Sequence, residues 1–286
     1  MIEIGVNPVV FGNVRWYGVL VALAIAALVL WVTWHVKNDK HQRVSVDTVL
    51  IAAIVGIPSG VIVSRLIHVI DLWDYYFRNP GEIIGDEGLT IWGAIIGATL
   101  GIWVTSKITK FNFNYLSDIL APGLIIAQVI GRIGCIINGC CYGEACSLPW
   151  AIIYTHPETF GPMTVAVHPT QVYEIIFLAV SFGIIMFLRG RIKPEGSLFM
   201  IYIGLYSIWR ISLGFMREGT DFALGLHQAQ IIGIITLLIV IPLLVKNTRW
   251  GKPDEPVMIS DNSQDEVPPE SPATAAERDD AANNVA

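Results

Sequence analysis

A chain of 286 residues that is 53% hydrophobic and only 15% charged falls well short of the roughly 25% charge of ordinary soluble domains. A soluble helical fold needs a polar outer face on each helix, whereas apolar runs of about 20 residues, the length that crosses a hydrocarbon core, recur along this chain. A soluble enzyme is therefore excluded. The net charge of −6 belongs to the C-terminus, because Lys252 and Arg278 stand against nine Asp and Glu there, giving −7 for residues 251–286 and +1 for residues 1–250. That balance leaves no electrostatic support for nucleic-acid binding.

Seven apolar stretches follow in order, near 16–36, 48–70, 89–109, 116–138, 171–189, 197–215 and 226–246. Each predicts a spanning helix. The N-terminal segment has no basic region and no small-residue cleavage site before the first stretch, so the first helix is expected to stay in the mature protein. Eleven Lys and Arg (Lys37, Lys40, Arg43, Lys107, Lys110, Arg189, Arg191, Lys193, Lys246, Arg249 and Lys252) fall in connections on one side of these spans. The other side holds three, Arg15, Arg78 and Arg217. The positive-inside rule then places the N-terminus outside and the C-terminus in the cytoplasm. The expected fold is an all-α polytopic membrane protein of seven transmembrane helices, with a membrane domain over 1–250 and an acidic, Pro- and Ser-rich tail over 251–286 that is expected to be disordered.

Two segments are expected outside, 71–88 and 139–170, both partly structured at the membrane surface. Trp73, Tyr75, Tyr76 and Phe77 in the first suit an interfacial aromatic belt. In the third span Gly93, Gly97 and Gly101 recur every four residues, a stripe that lets helix backbones approach closely. Pro58 and Pro242 fall inside spans, where neighbours must satisfy the freed carbonyls. No internal repeat is visible, which disfavours inverted-repeat transporters.

Ionisable groups inside a bilayer cost about 3 kcal/mol each on insertion scales and usually face an interior cavity. Arg65, Arg132 and Arg210 sit in the second, fourth and sixth spans, none with an acidic residue one helical turn away. Singly, each can snorkel or bind backbone carbonyls. Together they suit a cavity that receives an anion, since guanidinium forks grip phosphate oxygens, and in a membrane the anion at hand is a phospholipid headgroup. Gly131 and Gly134 flank Arg132, with Asn138 six residues on. The four cysteines, Cys135, Cys140, Cys141 and Cys146, lie within twelve residues. Their C-x4-C-C-x4-C spacing lacks the C-x2-C pairs of common zinc sites, so no metal or other cofactor is expected. A disulfide from Cys140 or Cys141 to Cys146 on the oxidising side and packing as small apolar residues both stay open.

The chain resembles the prolipoprotein diacylglyceryl transferase family over most of residues 1–250. The shared residues are Trp16, Tyr17 and Gly18 opening the first span; the Gly93 and Gly97 region; Gly131, Arg132, Gly134 and Asn138; HPTQVYE from His168 to Glu174; and YSIWR through FMRE from Tyr206 to Glu218. The resemblance implies a bacterial inner-membrane enzyme that moves the diacylglyceryl group of phosphatidylglycerol onto the lipobox cysteine thiol of a prolipoprotein, forming a thioether and releasing glycerol 1-phosphate. It implies catalytic roles for Arg132, Arg210 and His168, and substrate contacts for Tyr17, Asn138, Glu174 and Tyr206, to which the span arginine Arg65 is added. His168 is the candidate base, with Gln171 and Glu174 as its candidate partners. Its expected partners are phosphatidylglycerol, prolipoprotein precursors and membrane lipid; the sequence leaves the oligomeric state open.

The family pattern is broken at three places. Trp92 stands where the family has a histidine before the paired glycines, Cys135 where it commonly has Asn, and Cys140 where it has Glu. A histidine base at position 92 is thereby excluded. A transferase for another acceptor, a non-catalytic lipid-binding or transport protein, and a membrane thiol-redox protein remain as alternatives.

Overall fold

The computed structural model describes residues 1–39, 43–85, 91–217 and 225–250, within one compact unit, Met1–Pro253. The tail over 251–286, Glu218 and the Trp92 side chain lie outside the described residues. The chain opens with three short strands, β1 (Ile2–Ile4), β2 (Val9–Phe11) and β3 (Val14–Arg15), and enters α1 (Trp16–Lys37). Then come α2 (Val46–Asp71), the short α3 (Trp73–Arg78) and α4 (Glu82–Gly85), α5 (Ile91–Thr109) and α6 (Phe113–Asn138). After β4 (Ile152–Tyr154) follow α7 (Thr170–Leu188), β5 (Ile192–Lys193), α8 (Ser197–Gly214), α9 (Gln228–Asn247) and β6 (Arg249–Trp250).

Helices thus occupy all seven apolar stretches. Six of them, α1, α2, α6, α7, α8 and α9, are long and apolar enough to cross a membrane, and Gly93–Thr109 of α5 is a shorter apolar helix. Leu30, Ile54, Leu238 and Val245 are 69%, 71%, 70% and 80% exposed, which in water would leave large apolar surface uncovered. Lipid removes that cost, and the protein is a multi-pass membrane protein.

Local chemistry sets the helix ends. Ser45 caps α2 through Thr48 N at 3.1 Å, and Asn112 caps α6 through Asn114 N and Tyr115 N at 3.0 and 3.3 Å. The N-terminus of α8 has no cap from its own residue. Asp118 of α6 serves instead, accepting from Gly196 N at 2.8 Å and Phe199 N at 2.9 Å.

α6 is the central helix. It packs against α1, α7 and α8, burying Leu116 and Ile119 with Val32 and Val36 of α1, and Ala121 and Ile125 with Leu178, Ile185, Leu198 and Tyr202 of α7 and α8. α5 leans on α2 through the expected glycine stripe: a Cβ at Gly97 would lie 2.3 Å from the Ser59 carbonyl oxygen, and one at Gly101 would lie 2.8 Å from Ser59 Oγ. Backbones this close admit only glycine.

The two connections expected to be partly structured are so. In the first, Trp73, Tyr75 and Phe77 are exposed as a belt requires, but Tyr76 is buried. Its ring packs 5.9 Å from that of His68 and lies under the Arg65 guanidinium, because helical spacing in α3 turns it away from its aromatic neighbours. In the second, β4 runs parallel to β1, Ile2 opposite Ile152 and Ile4 opposite Tyr154. Ile152, Tyr154 and Val167 form a small core there with Ile4 and Tyr142, which ties the N-terminus to the layer that follows α6.

Candidate active site

The site grows from the end of α6. Gly139, in the left-handed region at φ 72°, ends the helix, and two reversed hydrogen bonds close it: Cys140 N donates to the Cys135 carbonyl and Gly139 N to that of Ile136. This six-to-one and five-to-two pair is a Schellman motif, which brings the residue after the glycine back over the last turn. Here the residue is Cys140 and the turn carries Cys135. Cys141 also has a left-handed φ, 63°, and the ligand-capable atoms of Cys135, Cys140 and Cys141 all lie within 4.8 Å of one another. The loop is pinned from α7, where Thr170 Oγ1 donates to the Cys141 carbonyl at 2.6 Å and Gln171 Nε2 to that of Cys140 at 2.7 Å.

Arg132 lies one turn below this group. Its Nη2 is 2.9 Å from Glu174 Oε1 of α7, with the Glu174 side chain 2% exposed, and its Nη1 approaches Cys135 Sγ at 3.7 Å. The Tyr206 phenol of α8 lies within electrostatic reach of both Arg132 and Arg210, the latter one turn on. Tyr17 of α1 faces Arg132 and the three cysteines. Its close approach depends on Gly134, where a Cβ would meet the Tyr17 ring at 3.3 Å. Four helices therefore converge on Arg132.

The Arg132 contact to Glu174 is Coulombic in character. Glu174 Oε1 sits at ion-pair distance but completes no hydrogen bond, and Gln171 Oε1, one turn earlier on α7 and also buried, completes none. A buried acceptor without a donor is costly, so Gln171 Oε1 is suited to a hydroxyl-bearing guest. Gly131, next to Arg132, faces open space. Positive charges gather around Arg132 and Glu174: Arg210 within reach of Tyr206, Arg217 within reach of Cys141, and Arg15, whose Nη1 reaches Asn138 Oδ1 at 3.1 Å. The neighbouring thiols of Cys135 and Cys140 hold the Cys141 sulfur below the usual thiol range, with Arg132 and Arg217 acting in the same direction.

Of the residues singled out in the sequence, Tyr17, Arg132, Asn138, Glu174, Tyr206 and Arg210 come together, with Cys135, Cys140 and Cys141 above them. Arg65 does not join them. Its guanidinium is spent on the carbonyls of Ile83 and Glu82, both at 2.7 Å, the backbone-binding role open to any single intramembrane arginine. His168 pairs neither with Gln171 nor with Glu174: its Nδ1 is 3.3 Å from the Tyr173 hydroxyl. Thr170 at the head of α7 is bound to the Cys141 carbonyl, which commits Gln171 and Glu174 to the α6 side. The disulfide to Cys146 is not formed, as all four cysteines are free. Cys146 N is bonded to the Ala166 carbonyl beside the Ala145–Val167 bridge, so the chain has left the cluster. Arg15 and Arg217, counted in the sequence only as loop charges, are drawn in by tertiary contacts; the neighbouring Trp16-Tyr17 motif was the one signal for Arg15.

The family model for prolipoprotein diacylglyceryl transferase matches residues 8–246. A protein of Dehalococcoides mccartyi called phosphatidylglycerol–prolipoprotein diacylglyceryl transferase is 48% identical over 256 residues, covering 88% of this chain and 98% of its own length. Proteins of the same name from Clostridioides difficile and Lysinibacillus sphaericus are 34% and 32% identical, over 79% and 87% of this chain and 88% and 94% of their own lengths. With a match over nearly the whole helical body, including every residue of the Arg132 constellation, the chain belongs to the prolipoprotein diacylglyceryl transferase family.

Proposed function

We propose that this protein transfers the diacylglyceryl group of phosphatidylglycerol to the lipobox cysteine thiol of prolipoproteins, in the bacterial cytoplasmic membrane. The observation that carries the reading is the convergence of Arg132, Tyr206 and Arg210, with one buried carboxylate, Glu174, at the end of a helix beside open space at Gly131. Glu174 offsets Arg132, and among the described residues no acidic side chain pairs with Arg210, which leaves its charge for a phosphate. In the reaction the acceptor thiolate attacks the glycerol carbon that bears the phosphate, the carbon–oxygen bond breaks, and glycerol 1-phosphate leaves with the electron pair. The extra negative charge appears on the leaving oxygen, where preorganised guanidinium donors count most. Gln171 Oε1 is an acceptor for a headgroup hydroxyl.

The test is incubation of the purified protein with phosphatidylglycerol and a lipobox peptide, followed by mass spectrometry of the peptide. A mass gain of one diacylglyceryl group is expected. Phosphatidylglycerol bound but unchanged would point to the lipid-binding alternative.

His168 is the base suggested by the family motif. Its backbone accepts from Gly143 N and donates to the Glu144 carbonyl, and its ring meets Tyr173, which supports an anchoring role. On that reading His168→Ala lowers transfer by the same factor at every pH. A loss concentrated at low pH and recovering as the acceptor thiol ionises would assign proton removal to His168.

The orientation proposed is seven spans over a membrane domain of residues 1–250, with the N-terminus outside and the 251–286 tail in the cytoplasm, supported by the eleven-to-three division of Lys and Arg. In right-side-out cells, protease should spare the tail, and in inverted vesicles remove it. Cleavage from outside intact cells would reverse the topology and put the site on the wrong face for exported precursors.

A further inference from the structure

The reaction proposed above needs an acceptor thiolate, yet the family's histidine position is Trp92 and His168 is turned to Tyr173. Three cysteines stand at the same helix end. Their ligand atoms lie within 4.8 Å of one another, close to the roughly 3.8 Å between sulfurs that tetrahedral bonds of about 2.3 Å to zinc require. The spacing C-x4-C-C lacks the paired motif of linear zinc sites, but the Schellman reversal at Gly139 supplies in space what the spacing lacks, setting Cys140 over Cys135. Cys135 is buried, while Cys140 and Cys141 are half-buried, so a bound ion would be held on one side and open on the other. Surrounding groups orient the sulfurs: Arg132 approaches Cys135, and the carbonyls of Cys140 and Cys141 are fixed from α7. Such partners tune metal ligands, and Arg217, within electrostatic reach of Cys141, adds positive charge beside the thiolates.

We propose that Cys135, Cys140 and Cys141 form a three-thiolate zinc site whose open fourth position takes the acceptor cysteine as its thiolate. Three protein ligands and one exchangeable position are the mark of a working zinc rather than a structural one, and a coordinated thiol is deprotonated outright. The acceptor thiol displaces water from the ion and gives its proton to water. The zinc-held sulfur then attacks the glycerol carbon, the sulfur–carbon bond forms as the carbon–oxygen bond to phosphate breaks, and the product thioether, neutral and a poor zinc ligand, departs. The Arg132 and Arg210 phosphate site lies beside it, so nucleophile and leaving group are held from adjoining positions. The chemical step rests on the transfer reading above; the metal site does not.

Full-length protein in phospholipid discs, made with zinc supplied, should hold about one zinc per chain. Cobalt exchanged for zinc should give a thiolate-to-metal charge-transfer band of tetrahedral type. Addition of a lipobox peptide should raise that band by about a third, from three thiolates to four, and the peptide with Ser for Cys should leave it unchanged. Cys135→Ser and Cys141→Ser should lose metal and Cys146→Ser should keep it. The cobalt spectrum is read on the unmodified chain and stands whether or not the serine variants fold. Stripping zinc should slow transfer up to about 30-fold at pH 7, the ratio of full ionisation to the few per cent of a free thiol with pKa about 8.5. That deficit should shrink as pH rises and vanish on adding zinc back. Absence of bound metal, no cobalt band, or undiminished metal in Cys135→Ser or Cys141→Ser would overturn the site; full transfer by the stripped protein would overturn thiolate activation. A peptide-responsive cobalt spectrum without any lipidated peptide would support the site and remove the transfer reading instead.

Discussion

Arg132→Ala should lower diacylglyceryl transfer per folded molecule by about 10²–10³-fold, the usual cost of one preorganised donor at a developing oxyanion, beyond the stability lost with Glu174's partner. Arg210→Ala should cost a comparable factor through the loss of the uncompensated charge. Lysine at 132 should rescue poorly. Arg132 serves Glu174 through Nη2, turns Nη1 toward Cys135 and reaches Tyr206, and a single ammonium cannot span those directions as a planar fork does. The measurement is the initial rate of peptide lipidation at matched protein. Near-normal rates in either alanine variant would take that arginine out of the reaction.

Glu174→Ala should be costly to stability. Removing one partner of a buried ion pair leaves the other charge uncompensated, at about 3–5 kcal/mol, and Glu174 is 2% exposed with Arg132 at 14%. The melting temperature in detergent should fall sharply. Replacing both residues by Met should restore most of it, since apolar replacement of a whole buried pair is often neutral or stabilising, but the double variant should not transfer lipid. Restored stability without activity would separate what the pair does for the fold from what Arg132 does for the phosphate. An unaltered melting temperature in Glu174→Ala would show that Arg132 finds another partner, and the central place given to this pair would be lost.

The helical body was legible because it is local physics: a run of about 20 apolar residues has few alternatives to a helix in lipid, and the helices sit where seven such runs predict them, α5 being the shorter. The glycine stripe was legible for the same reason, since four-residue spacing puts Gly97 and Gly101 on one face whatever that face meets. Arg132 was marked by its cost in a membrane, and its family by the order of the surrounding motifs. Its partner was not, because Glu174 lies 42 residues away on another helix and only packing of α7 on α6 brings the two together. Arg65 looked equivalent to Arg132 in sequence and proved different, held by backbone carbonyls that a folded connection happens to present. Tyr76 was one of four aromatics until α3 formed and turned it inward. The cysteines show the division most sharply: their linear spacing speaks against a metal, and a single left-handed glycine, by reversing the chain over the last turn of α6, gathers three thiols that the spacing holds apart.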